Sequence, residues 1–147
     1  MAGYSGKPLF EKLGIKLKQR LYVMNPPDDY YQLIAPMFEQ VVLLTRATSN
    51  IDLAHVFTTK AKELAQNLNL LIHKINPDGM IWVSWPKKSS KVATDITEDT
   101  IREICLPMGL VDVKVCAVDD IWSGLKLVIR KELRNRFYTL QKNKGNL

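Results

Sequence analysis

Apolar residues recur along this chain with two periods, and the changes from one to the other lay out its elements. After an N-terminal arm, Leu9–Leu13 reads as a short helical turn ended by Gly14. Arg20–Met24 reads as a strand stopped by Asn25-Pro26-Pro27. Asp29–Phe38 reads as a helix that Pro36 bends or ends. Val41–Leu44 is a continuous apolar run, the pattern of a buried strand, and Leu53–Thr58 is the next. In Lys60–Ile75 the residues Ala61, Leu64, Ala65, Leu68, Leu71, Ile72 and Ile75 follow a 3.6-residue period, which predicts an amphipathic helix. Asn76-Pro77-Asp78-Gly79 reads as a turn, and Met80–Trp85 as a strand ended by Pro86. Thr97–Leu106 is a second amphipathic helix, stopped by Pro107 and Gly109. Val111–Val118 and Leu125–Arg130 read as strands joined by a wide hairpin, and Arg130–Leu140 as a final helix with Leu133, Phe137 and Leu140 on one face.

Strands alternating with helices predict a three-layer α/β domain. Its six-stranded sheet is mostly parallel, covered on both faces, and closed by an antiparallel hairpin strand. The expected layout is a single domain over residues 1–130 with an arm at 1–16, followed by a basic, partly helical tail at 131–147. A chain of 147 residues, 46% apolar and 24% charged, fits one globular domain that buries roughly two-thirds of its unfolded surface. No run of about 18 apolar residues is present, so no membrane contact is expected. Residues 1–10 carry no apolar stretch of the secretory kind, and the expected location is the cytoplasm with Cys105 and Cys116 reduced.

The net charge of +6 is unevenly placed. Arg130–Leu147 holds six basic residues and one acid, so the rest of the chain is close to neutral. A solvated tail is expected, and nucleic acid is not: aromatic residues are not interleaved with the tail's cations as a stacking surface requires.

From Pro77-Asp78-Gly79-Met80-Ile81-Trp82-Val83 onward, the order helix, turn, apolar strand, helix, strand and hairpin strand resembles the second half of a class I methyltransferase. In element order the resemblance covers residues 16–130. It implies a Rossmann-like fold lacking one strand and its helix between Leu44 and Leu53. Three blocks also resemble an uncharacterised family of short bacterial proteins, a domain of unknown function. They are Tyr4-Ser5-Gly6-Lys7-Pro8-Leu9 through Lys12-Leu13-Gly14-Ile15-Lys16; Trp82-Val83-Ser84-Trp85-Pro86-Lys87-Lys88 with Thr94-Asp95; and Gly109 to Asp119 followed by Trp122-Ser123-Gly124-Leu125-Lys126. That family carries no catalytic residues to transfer.

A methyltransferase reading implies S-adenosylmethionine (SAM). Such sites use a glycine-rich turn after the first strand and an acid after the second. Here the first turn is Asn25-Pro26-Pro27-Asp28-Asp29 and the second strand runs into Leu44-Thr45-Arg46, so no cofactor is expected. Asn25-Pro26-Pro27 is similar to the Asn-Pro-Pro-aromatic motif of amino-methyltransferases acting on DNA bases, but Asp28 stands where the aromatic belongs. Gly3-Tyr4-Ser5-Gly6-Lys7-Pro8 lacks the spacing and final hydroxyl of a phosphate loop.

Trp85-Pro86-Lys87-Lys88-Ser89-Ser90-Lys91 leaves the carboxyl end of a central strand, where open α/β sheets bind ligands, and offers cations, hydroxyls and an aromatic platform suited to phosphate or carboxylate. Asn25, Asp28, Thr58, Thr59, Trp85, Lys87 and Lys88 are therefore the candidate ligand-binding residues. His55 reads as a packed core residue and His73 as exposed, with no metal-ligand spacing between them. Cys105 reads as a small hydrophobe, and Cys116 as facing away from Val111, Val113 and Val115, with no base beside either. The chain is thus expected to be a non-catalytic binding or interaction domain for an anionic small molecule or an acidic partner. A divergent methyltransferase or other enzyme with its site at the carboxyl edge of the sheet is the alternative, and a weak nucleic-acid binder the second. A homodimer stays open.

Overall fold

A computed structural model describes residues 6–145, with side chains to residue 142. Residues 1–5, which hold the start of the arm and most of the phosphate-loop resemblance, lie outside the described residues, as do 146 and 147. Six strands form one sheet: β1 (Arg20–Met24), β2 (Val42–Leu44), β3 (Ile51–Phe57), β4 (Ile75–Pro86), β5 (Leu110–Ala117) and β6 (Trp122–Ile129). Their order across the sheet is β2-β1-β3-β4-β6-β5. Strands β1 to β4 pair in parallel, and β6 inserts antiparallel between β4 and β5. The α/β class, the six strands and the antiparallel hairpin agree with the sequence reading. Thr45–Asn50 joins β2 to β3 without a helix or strand of its own.

One sheet face packs under α3 (Ala61–Leu71), α4 (Glu98–Cys105) and α5 (Arg134–Gly145). Leu64, Leu68 and Leu71 of α3 and Ile101 and Cys105 of α4 are buried against Ala54, Val56, Ile81, Val83, Leu125 and Leu127 of the strands. Burial raises the Cys105 thiol to about 11, which keeps it protonated and inert. Thr97 caps α4 through reciprocal bonds with Thr100. The other face packs under α1 (Leu9–Leu13), α2 (Tyr30–Leu33) and a 3-10 turn at Met37–Gln40.

Three elements differ from the sequence reading. The helix expected over Asp29–Phe38 is only four residues long, because Pro36 lacks an N–H and excludes the helical conformation from the residue before it. The helix expected over Lys60–Ile75 stops at Leu71. Ile75 opens β4, and Asn76–Gly79, expected as a turn, is a bulged part of that strand. Ile51 pairs with Ile75 and Leu53 with Met80, so β4 carries extra residues there. Gly79 makes the close approach possible: a Cβ on it would stand 2.7 Å from the Asp52 carbonyl oxygen. The tail is the third difference. Helix α5 lies on the domain rather than in solvent, with Phe137 only 8% exposed and Gln141 Nε2 donating to the Ile75 carbonyl at 2.9 Å.

On β5 the expected shared face of Val111, Val113 and Val115 is broken. A register shift between Asp112 and Lys114 leaves Val113 and Val115 half exposed on an edge strand. Among the described residues, no helix is long and apolar enough to cross a membrane.

Candidate functional site

The parallel strands end together. Met24 pairs with Val56, Phe57 with Ser84, and Pro86 with Trp122, so Asn25, Thr58 and Lys87 leave from one edge of the sheet. Asn25 stands in the left-handed region at φ 55°, the conformation that turns β1 into the two prolines. Asn25 and Asp28 are exposed, as is Lys88, while Lys87 is half-buried.

Other candidate residues are engaged within the fold. The Thr58 side chain bonds the backbone of Lys60. The Thr59 carbonyl accepts the Thr94 hydroxyl at 2.7 Å and the Asp95 N–H at 3.3 Å, and the Asp95 carboxylate accepts from the Ala61 N–H at 2.7 Å, closing the start of α3. The Lys87 N–H donates to Ile121 at 2.7 Å, which ties the loop to the β5–β6 hairpin. Trp85 is 7% exposed and belongs to the core under the helices, so it does not form the aromatic platform that the loop composition suggests.

Sequence reading placed His55 in the core but missed what it does there. Its Nδ1 lies 2.8 Å from the Tyr30 hydroxyl and its Nε2 2.7 Å from Ser84 Oγ, linking α2, β3 and β4. Burial lowers the His55 pKa to about 3, so the ring is neutral near pH 7, and burial raises the Tyr30 hydroxyl above its usual value. One ring nitrogen donates and the other accepts, so the two hydroxyls take opposite roles. Phe57 stacks on the ring with centroids 4.3 Å apart, and Tyr30 meets it edge-on at 5.2 Å. All three polar groups are fully buried, and the arrangement ties α2, β3 and β4 together. The only sequence signal was three polar residues at positions the strand and helix patterns bury.

Beside this network, still at the carboxyl edge, is a cavity of about 430 Å³ lined by Lys7, Leu9, Lys12, Asp29, Leu33, Val118, Asp119 and Asp120. It joins the arm, α2 and the hairpin. Lys12 Nζ donates to the Ala117 carbonyl at 2.9 Å, and Asp119 Oδ1 accepts the N–H groups of Ile121 and Trp122 at 2.8 and 2.7 Å. Both signs of charge thus face one hollow. None of the seven candidate residues lines it, although Asp29 adjoins Asp28. Its lining comes from segments far apart in sequence, which no local motif marks.

The first turn differs from the glycine-rich turn that SAM sites of this fold use. Pro26 and Pro27 offer no N–H, no glycine lets the backbone approach a ligand, and the helix that follows is four residues long. Thr45 and Arg46 stand where an acid would hold the ribose. Among the described residues, no group of three His, Cys, Asp or Glu side chains gathers to hold a metal ion.

No protein-family model matches the chain, and no curated protein matches it in sequence. Solved structures do match in shape. A putative type 11 methyltransferase from Sulfolobus solfataricus superposes with a TM-score of 0.63 at 10% identity, covering 89% of this chain and 95% of that one. The magnesium protoporphyrin IX methyltransferase of Synechocystis PCC 6803, with bound S-adenosylhomocysteine, gives 0.56 at 10% identity, covering 82% and 78%. A fibrillarin pre-rRNA processing protein from Methanococcus jannaschii gives 0.50 at 10% identity, covering 84% and 69%. At these identities the likeness concerns the backbone: the chain has a Rossmann-like, methyltransferase-like fold.

Proposed function

We propose that this chain is a binding domain on a methyltransferase-like scaffold that does not transfer methyl groups from SAM. The observation that carries the reading is the first turn, where Asn25-Pro26-Pro27 and a four-residue helix replace the backbone donors that such a cofactor needs. The ligand site is the carboxyl edge of the sheet. There the hollow bounded by Lys12, Asp29 and Asp120 offers cations and carboxylates together. Asn25, Asp28, Thr58, Thr59, Lys87 and Lys88 leave from the same edge and would extend the site, with Trp85 packing beneath them in the core. The second reading is a divergent methyltransferase. It is favoured by the likeness to a structure holding S-adenosylhomocysteine. Calorimetric titration with SAM separates the two: no saturable heat is expected at millimolar cofactor, and micromolar affinity at one site overturns the first reading in favour of the second.

A further inference from the structure

The face of the sheet under α1 carries a charge arrangement that lies beyond the carboxyl-edge cavity and shares only Lys12 with it. Trp82 pairs with Lys126, and Lys126 with Lys114, so the three form one cross-strand row. Directly opposed residues share a face, which sets two lysine side chains next to each other. Lys114 Nζ lies 5.9 Å from the centre of the Trp82 ring. Lys16, just past α1, is a third cation near the row, on a hollow it shares with Asp52 and Asp78. Burial first, then the charges of Lys114 and Lys16, lower the Lys126 pKa below its usual value. Lys12 stands at the rim; burial raises the pKa of the half-buried Cys116 thiol, and the charges of Lys12 and Lys114 partly offset this. The Lys12 bond to Ala117 uses one of three ammonium protons. Among the described residues, Lys16, Lys114 and Lys126 have no carboxylate within ion-pair distance; the ion pairs are made by Arg102 and Arg134. Like charges directly opposite across strands are destabilising, so the row costs stability unless an anion sits on it.

We propose that this lysine cluster binds a compact oligophosphate, whose charged groups span Lys16, Lys126 and Lys114 with Lys12 at the edge. Several phosphate groups bring several negative charges into a patch one cross-strand row wide, which matches the gathered ammonium groups. Trp82 is fully buried and its indole N–H is spent on the Leu13 carbonyl at 2.8 Å, so no aromatic face is offered to a base. The cluster is a single row rather than a track along the sheet, which suits a short anion better than a nucleic-acid strand. The proposal is independent of the carboxyl-edge reading.

The test is thermal unfolding and calorimetry of the full chain with inorganic triphosphate, against sulfate at matched ionic strength. Triphosphate should raise the midpoint saturably, and sulfate should not. Lys114→Gln and Lys126→Met should each weaken triphosphate about tenfold, since a charged hydrogen bond of this kind contributes roughly that factor. Both should raise the midpoint of the ligand-free protein, because each removes a like-charge contact. Lys62→Gln, the same charge change on exposed α3, should leave binding unaltered. Lys114 is exposed, so its variant decides the matter even where Lys126→Met fails to fold. Equal shifts from sulfate, unchanged binding in Lys114→Gln, or tight binding of a single-stranded oligonucleotide with none of triphosphate would each overturn the proposal.

Discussion

Under α3, α4 and α5 the sheet buries mostly aliphatic side chains, with Trp85, Phe137 and Cys105 among them: Leu64, Leu68 and Leu71 meet Val56, Ile81 and Leu127. Under α1 and α2 the same strands bury Tyr30, His55, Ser84 and Trp82, and beyond α1 leave lysines uncovered. The first face gains stability from non-directional burial and accepts any close-packing set of similar volume. The second depends on direction, because each polar atom has a specific partner and loses it if the register slips. The apolar face thus tolerates repacking, and the face with the polar network and the lysine row depends on exact partners.

The largest expected effect lies on the aliphatic side. Phe137→Ala should cost about 3 kcal/mol in denaturant unfolding, since it empties a buried aromatic site where α5 meets the core. A loss under about 1 kcal/mol would mean that α5 detaches readily, as a solvated tail would.

On the polar side, Ser84→Ala leaves a His55 nitrogen unpaired at full burial and should cost about 1–3 kcal/mol. The same network predicts a pH dependence. His55 takes up a proton near pH 6.5 when unfolded but only near 3 when folded. Between those values the unfolded state binds more protons, so stability falls as pH drops through that window, by at most about 1.4 kcal/mol per unit. His55→Gln should flatten the slope between pH 6.5 and 5, above the range of most carboxylates. An unchanged slope there would show that the ring is not held neutral.

The smallest effect is expected at Lys87 and Lys88. The exposed Lys88 charge contributes little, and the Lys87 tie to Ile121 is made by its backbone. The double change to Ala should leave the unfolding midpoint in place, measured without added anion. A marked drop would assign the loop a structural role that its side chains do not display.

Apolar patterning and turn residues indicated six strands, the two amphipathic helices, the antiparallel hairpin and the fold class, because burying a stripe or an alternate face is a local demand on sequence. The run Val41–Leu44, read as a buried strand, is instead an edge strand with Val42 and Leu43 exposed. The same patterning also put His55 and Cys105 inside. Tertiary structure decided what local pattern cannot encode. Ile75 is apolar whether it ends a helix or opens a strand, and only pairing with Ile51 chose the strand. Phe137 has the same pattern on a solvated or a docked helix, and only the groove it enters chose docking. The partners of His55 come from 25 and 29 residues away. Lys114 and Lys126 became neighbours only through a bulged register on β5. Long-range pairing brings such groups together, and its register is set by the sum of contacts across the sheet rather than by the residues beside each position.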